Sequence, residues 1–144
     1  HKTESFCHTW QQEREASIKF DIPNEGSFLY ETNSSILKSG AFKSVAYTFG
    51  ICKLEKSSHL YTSSNLADNF PGRVFLIEKI YPFKKQKLSD IFEKYPKANI
   101  SVRNFPLKSE ELRKKLKIEE GGEIYLFGTT DRFGEKLIIC CKKY

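Results

Sequence analysis

The sequence predicts an α+β protein, in which a first α/β segment precedes a small unit ordered β-α-β-α-β-β with its helices packed on a mixed sheet. Three observations carry that prediction. Apolar residues recur with a helical period in three stretches, they alternate or cluster with a strand period in several others, and glycines and prolines fall where one pattern gives way to the next. At 144 residues the chain lies in the single-domain range, with room for two small units that share a core.

Residues 1–30 give weak signals. Phe6 to Trp10 reads as a strand end, Gln11 to Ser17 as a polar helical turn, and Pro23-Asn24-Glu25-Gly26 as a turn. From Asn33, an N-cap type of residue, the stretch Ser34 to Phe49 sets Leu37, Ala41, Val45 and Phe49 on an i, i+4 stripe. Gly50 follows as a natural stop, so a helix is predicted. His59 to Thr62 reads as a short strand. Asn69-Phe70-Pro71-Gly72 then breaks the chain and places the boundary between units 1–70 and 71–144.

Beyond that break, Arg73 to Ile80 reads as a strand closed by Pro82. Leu88, Ile91, Phe92 and Tyr95 recur at i, i+3, i+4, i+7 in a helix that Pro96 ends. Ala98, Ile100 and Val102 alternate with Asn99, Ser101 and Arg103, the pattern of a strand with one buried face. A helix starts near Ser109, with Glu110 and Glu111 in its first turn and Leu112 and Leu116 on its inner face. Arg113, Lys114, Lys115 and Lys117 gather toward its end, an order of charge that complements the helix dipole. Gly121-Gly122 is the expected turn into a strand over Glu123 to Phe127, and Asp131-Arg132-Phe133-Gly134 reverses the chain into Lys136 to Lys142. These last two strands are apolar on both faces, which predicts central places in the sheet.

Charge divides the chain at the same boundary. Residues 1–70 hold 7 Lys/Arg and 8 Asp/Glu, a net −1, whereas residues 71–144 hold 17 and 10, a net +7. Such asymmetry points to an electrostatic role for the second half, with nucleic acid the commonest polyanionic partner and a solvated basic surface the plainer alternative. No apolar run approaches the ~20 residues that cross a bilayer and no signal-peptide stretch opens the chain, so a soluble protein without a membrane partner is expected. The chain contains no methionine, the initiator included, and opens at His1, so a fragment, a processed chain or a tag remnant is expected. Cys7, Cys52, Cys140 and Cys141 show neither zinc spacing nor the density of a disulfide-stapled domain, which fits a reducing cytoplasm. Cys140 and Cys141 sit inside an apolar strand run and are expected to be core fillers.

The residue inventory argues against catalysis by this chain. His1, His8 and His59 stand in no metal-ligand or base-nucleophile spacing, so no metal site and no catalytic residue is assigned. No two glycines are separated by a single residue and no Gly-Lys-Ser/Thr run occurs, so no nucleotide-type cofactor has a seat. Glu110-Glu111 and Glu119-Glu120 are adjacent pairs whose side chains diverge, and both read as structural. Gly40-Ala41-Phe42 with Val45-Ala46-Tyr47 imitates an RNA-recognition strand signature, but its period is helical. No KH loop and no Cys/His finger is present, so RNA binding here would rest on shape and charge.

Three segments carry a resemblance: Phe28-Leu29-Tyr30-Glu31-Thr32-Asn33-Ser34-Ser35-Ile36-Leu37-Lys38-Ser39-Gly40-Ala41-Phe42-Lys43, then His59-Leu60-Tyr61-Thr62-Ser63 with Phe70-Pro71-Gly72-Arg73, then Ala98-Asn99-Ile100-Ser101-Val102-Arg103-Asn104-Phe105-Pro106. Together they resemble the C-terminal region of bacterial SAM-dependent methyltransferases, which end in a ferredoxin-like segment and a THUMP-like domain. The resemblance covers the chain from about Phe28, with Thr32 standing where the family usually has Pro. It implies a partial ferredoxin-like segment over residues 1–70 and a THUMP-like domain over 71–144. It also implies that the catalytic domain, with its S-adenosylmethionine, and the first strands of the ferredoxin-like segment lie upstream.

The function implied is that of a non-catalytic accessory module that binds and presents RNA, tRNA or rRNA, to the catalytic domain of the same polypeptide, with no DNA expected. The alternative is a scaffold or dimerisation module that never touches RNA. The stretch Asn33 to Lys43 reads first as a well-capped packing helix whose Gly40 permits close approach, and second as a phosphate seat formed by a helix N-terminus with Lys38 and Lys43. Lys97, Arg103, Arg113, Lys114 and Lys117 are the RNA-facing candidates, against a solvated basic face. Arg103, Arg113, Lys114 and Lys117 are expected to line one phosphate-sized surface, with Lys53 and Lys56 of the acidic half as comparators.

Overall fold

The computed structural model describes residues 19–33 and 42–144. The elements expected over Phe6 to Trp10 and Gln11 to Ser17, and the part of the first helix before Phe42, lie outside them. The Pro23–Gly26 turn is present: Ser27 N donates to Asn24 O at 3.1 Å and Gly26 takes φ +88°. It delivers the chain into β1, Phe28–Thr32, a strand the sequence pattern does not announce.

Helix α1, Phe42–Phe49, ends as its sequence dictates. Gly50 adopts φ +64°, and two bonds close the end, Gly50 N to Tyr47 O at 3.4 Å and Ile51 N to Ala46 O at 3.1 Å. This is a Schellman stop, which favours glycine because a left-handed residue with a Cβ is strained. The hairpin of β2, Cys52–Lys53, and β3, Leu60–Ser63, follows, so the strand expected over His59 to Thr62 starts one residue late. His59 itself has φ +55°.

The second half follows the predicted order. Strand β4 runs Gly72–Pro82, a 3-10 turn covers Lys85–Lys87, α2 covers Leu88–Lys94, and β5 covers Lys97–Arg103. Helix α3 spans Ser109–Leu116, with β6 at Glu119–Thr130 and β7 at Lys136–Lys143. One expectation is corrected. Gly121-Gly122 is not a turn before a strand but an interruption within β6: the register against β5 jumps from Ala98↔Glu120 to Asn99↔Tyr125. Residues 121–124 bulge out of the ladder, and the two glycines supply the positive φ values, +116° and +83°, that the bulge requires.

The strands form one sheet in the order β2-β3-β1-β4-β7-β6-β5. Neighbours are antiparallel except β5 and β6, the parallel pair joined through α3. β7 and β6 are interior strands, as their apolar runs predict. The described helices cover one face. Under α1, Val45, Ala46 and Ile51 pack on Tyr30, Tyr61 and Phe70. Under α2 and α3, Ile91, Leu112 and Leu116 pack on Ala98, Ile100, Leu126, Ile138 and Cys140; truncating one such leucine costs about 2–5 kcal/mol. Phe92, expected inside with Ile91, is 41% exposed, because α2 is only two turns long and turns its Ile91 edge to the sheet.

The opposite face curls into a second core of Leu29, Leu54, Leu60, Phe75, Ile77, Phe127, Ile139 and Cys141. The curl brings the β2–β3 hairpin across to β6, where Ser58 Oγ donates to Thr130 O at 2.7 Å. Cys140 and Cys141 thus enter opposite cores, and burial pushes both thiols well above their ordinary range.

Candidate nucleic-acid interface

Helix α3 is built from the sheet outward. Leu112 and Leu116 are fixed to the core, and Gly128 beneath them lets the helix approach closely, since a Cβ there would lie 3.0 Å from Leu112 Cδ2. Glu111 accepts the Lys108 amide at 3.0 Å, satisfying one of the donors left open at a helix start. With the apolar stripe inward, Lys114 is thrown outward and Arg113 and Lys115 flank it. Lys117 closes the helix at φ +60°.

The predicted residues divide three ways. Lys97, Lys114 and Lys117 are exposed, but only Lys114 and Lys117 belong to α3; Lys97 opens β5 in register with Glu119, has the alternation of Arg103 rather than that of Ala98, and runs its stem beside Gly121 and Gly122. Arg113 shares α3 but is engaged by Glu110, whose carboxyl the hydrogen bond from Arg113 holds below its usual value. Lys38 lies outside the described residues, and Lys43 is described only as a backbone position in α1.

Arg103 lies elsewhere. The alternation of β5 does turn it from the helical face, as expected, but the opposite face is the curled core rather than open solvent. There its guanidinium meets Glu31, and Arg73 reaches the same carboxylate, with Nε 2.7 Å from Oε1. Glu31 is buried, with 8% of its side chain exposed. The single phosphate-sized surface expected from Arg103, Arg113, Lys114 and Lys117 is therefore corrected. Arg103 is on the other face of the sheet, and six residue steps of about 3.3 Å put it roughly 20 Å along β5 from Lys97. Lys53, a comparator in the acidic half, is 2% exposed, with Nζ donating to Lys56 O at 2.7 Å, so only Lys56 serves as a surface control.

Arginine and lysine separate by use. Arg73 and Arg103 bind Glu31, Arg113 binds Glu110, and Arg132 Nη1 donates to Phe20 O at 3.1 Å. All 13 lysines after residue 71 are instead exposed, and among the described residues only Lys142 has an ion-pair partner, Glu78 at 3.2 Å. The free positive charge of this half is thus mostly lysine charge, joined by the exposed Arg132, whose bond to a neutral carbonyl leaves its charge unpaired. Three of those lysines, Lys84, Lys85 and Lys115, line a depression with Phe83 and Leu88 that the sequence reading missed. The run Lys84-Lys85-Gln86-Lys87 was the available signal. Among the described residues no group of His, Cys, Asp or Glu is arranged to hold a metal ion, and no helix is long and apolar enough to cross a membrane.

The fold and this surface define a class: an α+β module with its described helices on one face and its unpaired positive charge mostly on lysines. Comparison then gives the family. Residues 72–143 match the family described as THUMP domain-like, residues 28–71 match a ferredoxin-like domain, and the chain belongs to the THUMP domain-like family. It is similar to the crystal structure of a "putative methyltransferase from Porphyromonas gingivalis W83", with 43% identity, a TM-score of 0.90, and coverage of 96% of this chain and 34% of that one. The chain thus spans about a third of that protein's length. No curated protein matches the chain.

Proposed function

We propose that this chain is the non-catalytic accessory part of a SAM-dependent methyltransferase, holding tRNA or rRNA for a catalytic domain of the same polypeptide, with its two units dividing at residues 70 and 71. The observation that carries the reading is the set of exposed lysines on α3 and the turn after β4, in a chain of the THUMP domain-like family. Similarity to a protein named as a methyltransferase supports the enzymatic context. Among the described residues the strand-to-helix connections do not fit the cofactor: the β4–α2 connection runs from Phe83 to Lys87, its last three residues forming the 3-10 turn, and the β5–α3 connection runs from Asn104 to Lys108, with no glycine in either. An adenosyl cofactor needs a closer backbone approach than these allow. Lys97, Lys114 and Lys117 are the contacts proposed from the original set; Lys38, Lys43, Arg103 and Arg113 are secondary, Arg103 because Glu31 already engages it. A cytoplasmic setting is part of the proposal and is supported by the free thiols of Cys52, Cys140 and Cys141.

The test is RNA affinity against salt. Binding of a structured RNA should fall linearly on a log–log plot, and each phosphate contact removed by lysine-to-glutamine substitution should reduce the slope by about 0.7–0.9. Lys114→Gln should weaken binding, and Lys56→Gln should not. If the parent chain binds no RNA at low salt, the scaffold or dimerisation reading replaces this one.

A further inference from the structure

The positive charge converges at one place. The chain leaves β4 at Pro82 and is fixed at once by its own backbone, Lys84 N to Pro82 O at 2.9 Å and Lys87 N to Lys84 O at 2.9 Å. Phe83 N donates to Lys136 O at 2.8 Å, and the Phe83 ring meets Phe105 edge-on at 4.9 Å. Lys84 and Lys85 therefore project from a held turn. Between that turn and α3 lies a depression of about 270 Å³, lined by Phe83, Lys84, Lys85, Leu88 and Lys115. Its apolar floor is half-buried and its three ammonium groups are exposed.

Among the described residues no carboxylate lines this space, so three like charges face one volume whose repulsion an entering anion would relieve. Two other depressions among the described residues differ. One of about 300 Å³ beside α1 has a single charged residue, Lys19, in its lining, and one of about 430 Å³ near the β6 bulge sets Glu123 among its lysines.

We propose that this depression seats the phosphodiester backbone of RNA, with phosphate oxygens on Lys84, Lys85 and Lys115 and a sugar face on Phe83 and Leu88. The inference rests on the RNA-holding reading and deepens it by locating the principal contact. The chemistry favours a phosphodiester over an acidic peptide. The described lining side chains offer donors and carbon but no acceptor, whereas a peptide brings N–H groups that need acceptors. A phosphodiester linkage brings acceptor oxygens and an apolar sugar face.

The test uses the whole 144-residue chain with two triple variants, Lys84→Gln/Lys85→Gln/Lys115→Gln and Arg113→Gln/Lys114→Gln/Lys117→Gln. Circular dichroism confirms folding, which the five exposed lysines and the half-buried Arg113 should leave intact. The probes are an RNA hairpin and poly-glutamate. The first triple should lower hairpin affinity about a hundredfold near 0.1 M salt and reduce the salt slope by about 2–3, the sum of three phosphate contacts. The second should lower affinity much less. If the second triple loses binding while the first binds like the parent, the depression is not the seat, although the chain still holds RNA. If the first triple loses poly-glutamate binding and keeps hairpin binding, the site serves an acidic protein partner and the inference is overturned. If the parent binds no hairpin at low salt, the functional reading falls and takes the inference with it.

Discussion

Replacing Glu31 by Gln tests the polar joint between the two halves of the sheet. The substitution keeps the side chain's size and removes its charge, leaving the guanidiniums of Arg73 and Arg103 facing a neutral amide. A net hydrogen bond to a charged group is worth about 1.5–3 kcal/mol, and two are weakened here. The carboxylate is buried, but the arginine side chains are 40% and 32% exposed, so water recovers part of what they lose. A destabilisation of about 2–3 kcal/mol follows, well above the 0–1 kcal/mol typical of surface pairs. Urea unfolding of the parent, Glu31→Gln, Arg103→Gln and the double variant measures it, and the cycle should give a coupling of at least about 1 kcal/mol between Glu31 and Arg103. A Glu31→Gln cost under about 0.5 kcal/mol, or additive single variants, would show that the joint behaves as an ordinary surface pair and refute this account.

Two further outcomes follow from local geometry. Gly72→Ala should destabilise the chain by at least about 1–3 kcal/mol, because a Cβ at Gly72 would lie 2.1 Å from Glu31 O, an approach only backbone movement relieves; an unchanged urea midpoint would show the strands part freely. His59 is held below its ordinary value of 6.5 by burial first, then by Lys53 and Arg103. The unfolded chain therefore takes up a proton that the fold resists, so this group's contribution is present above about pH 6.5 and is lost as pH falls toward the folded value. His59→Asn, which tolerates the left-handed backbone, should flatten the loss of stability as pH falls below about 6.5, and a variant curve parallel to the parent's would rule the effect out.

Elements set by local period were legible in the sequence. Leu112 and Leu116 on α3, Ile91 on α2, and Ala98, Ile100 and Val102 on β5 place themselves, because neighbours three, four or two residues away decide which face is apolar. β1 was not legible. Its Glu31 and Thr32 are buried, and Glu31 is tolerated inside only because Arg73 and Arg103 arrive from 42 and 72 residues away. Local turn chemistry misled at Gly121-Gly122 for a related reason: parallel pairing with β5 continues past the glycines and makes them a bulge. The candidate site was half legible. The outward lysines of α3 follow from its stripe, but the meeting of Lys115 with Lys84 and Lys85 depends on how the turn after β4 lies against α3, which no local pattern encodes.

The division between arginine and lysine bears on what recognition this surface can perform. Guanidinium is a planar fork suited to bidentate contact with a base edge or a carboxylate, whereas ammonium is a compact point charge that reads position rather than pattern. Here Arg73, Arg103 and Arg113 are paired with Glu31 and Glu110, Arg132 alone stays exposed with one bond to the Phe20 carbonyl, and the lysines remain in solvent. A surface of that kind contacts backbone phosphates and leaves base edges unread. If it holds RNA, affinity should depend strongly on salt and weakly on sequence, and selection among RNAs should come from how a given shape presents its phosphates to the depression and to α3. That arrangement suits a module whose proposed task is to hold RNA while a separate domain selects the atom to modify.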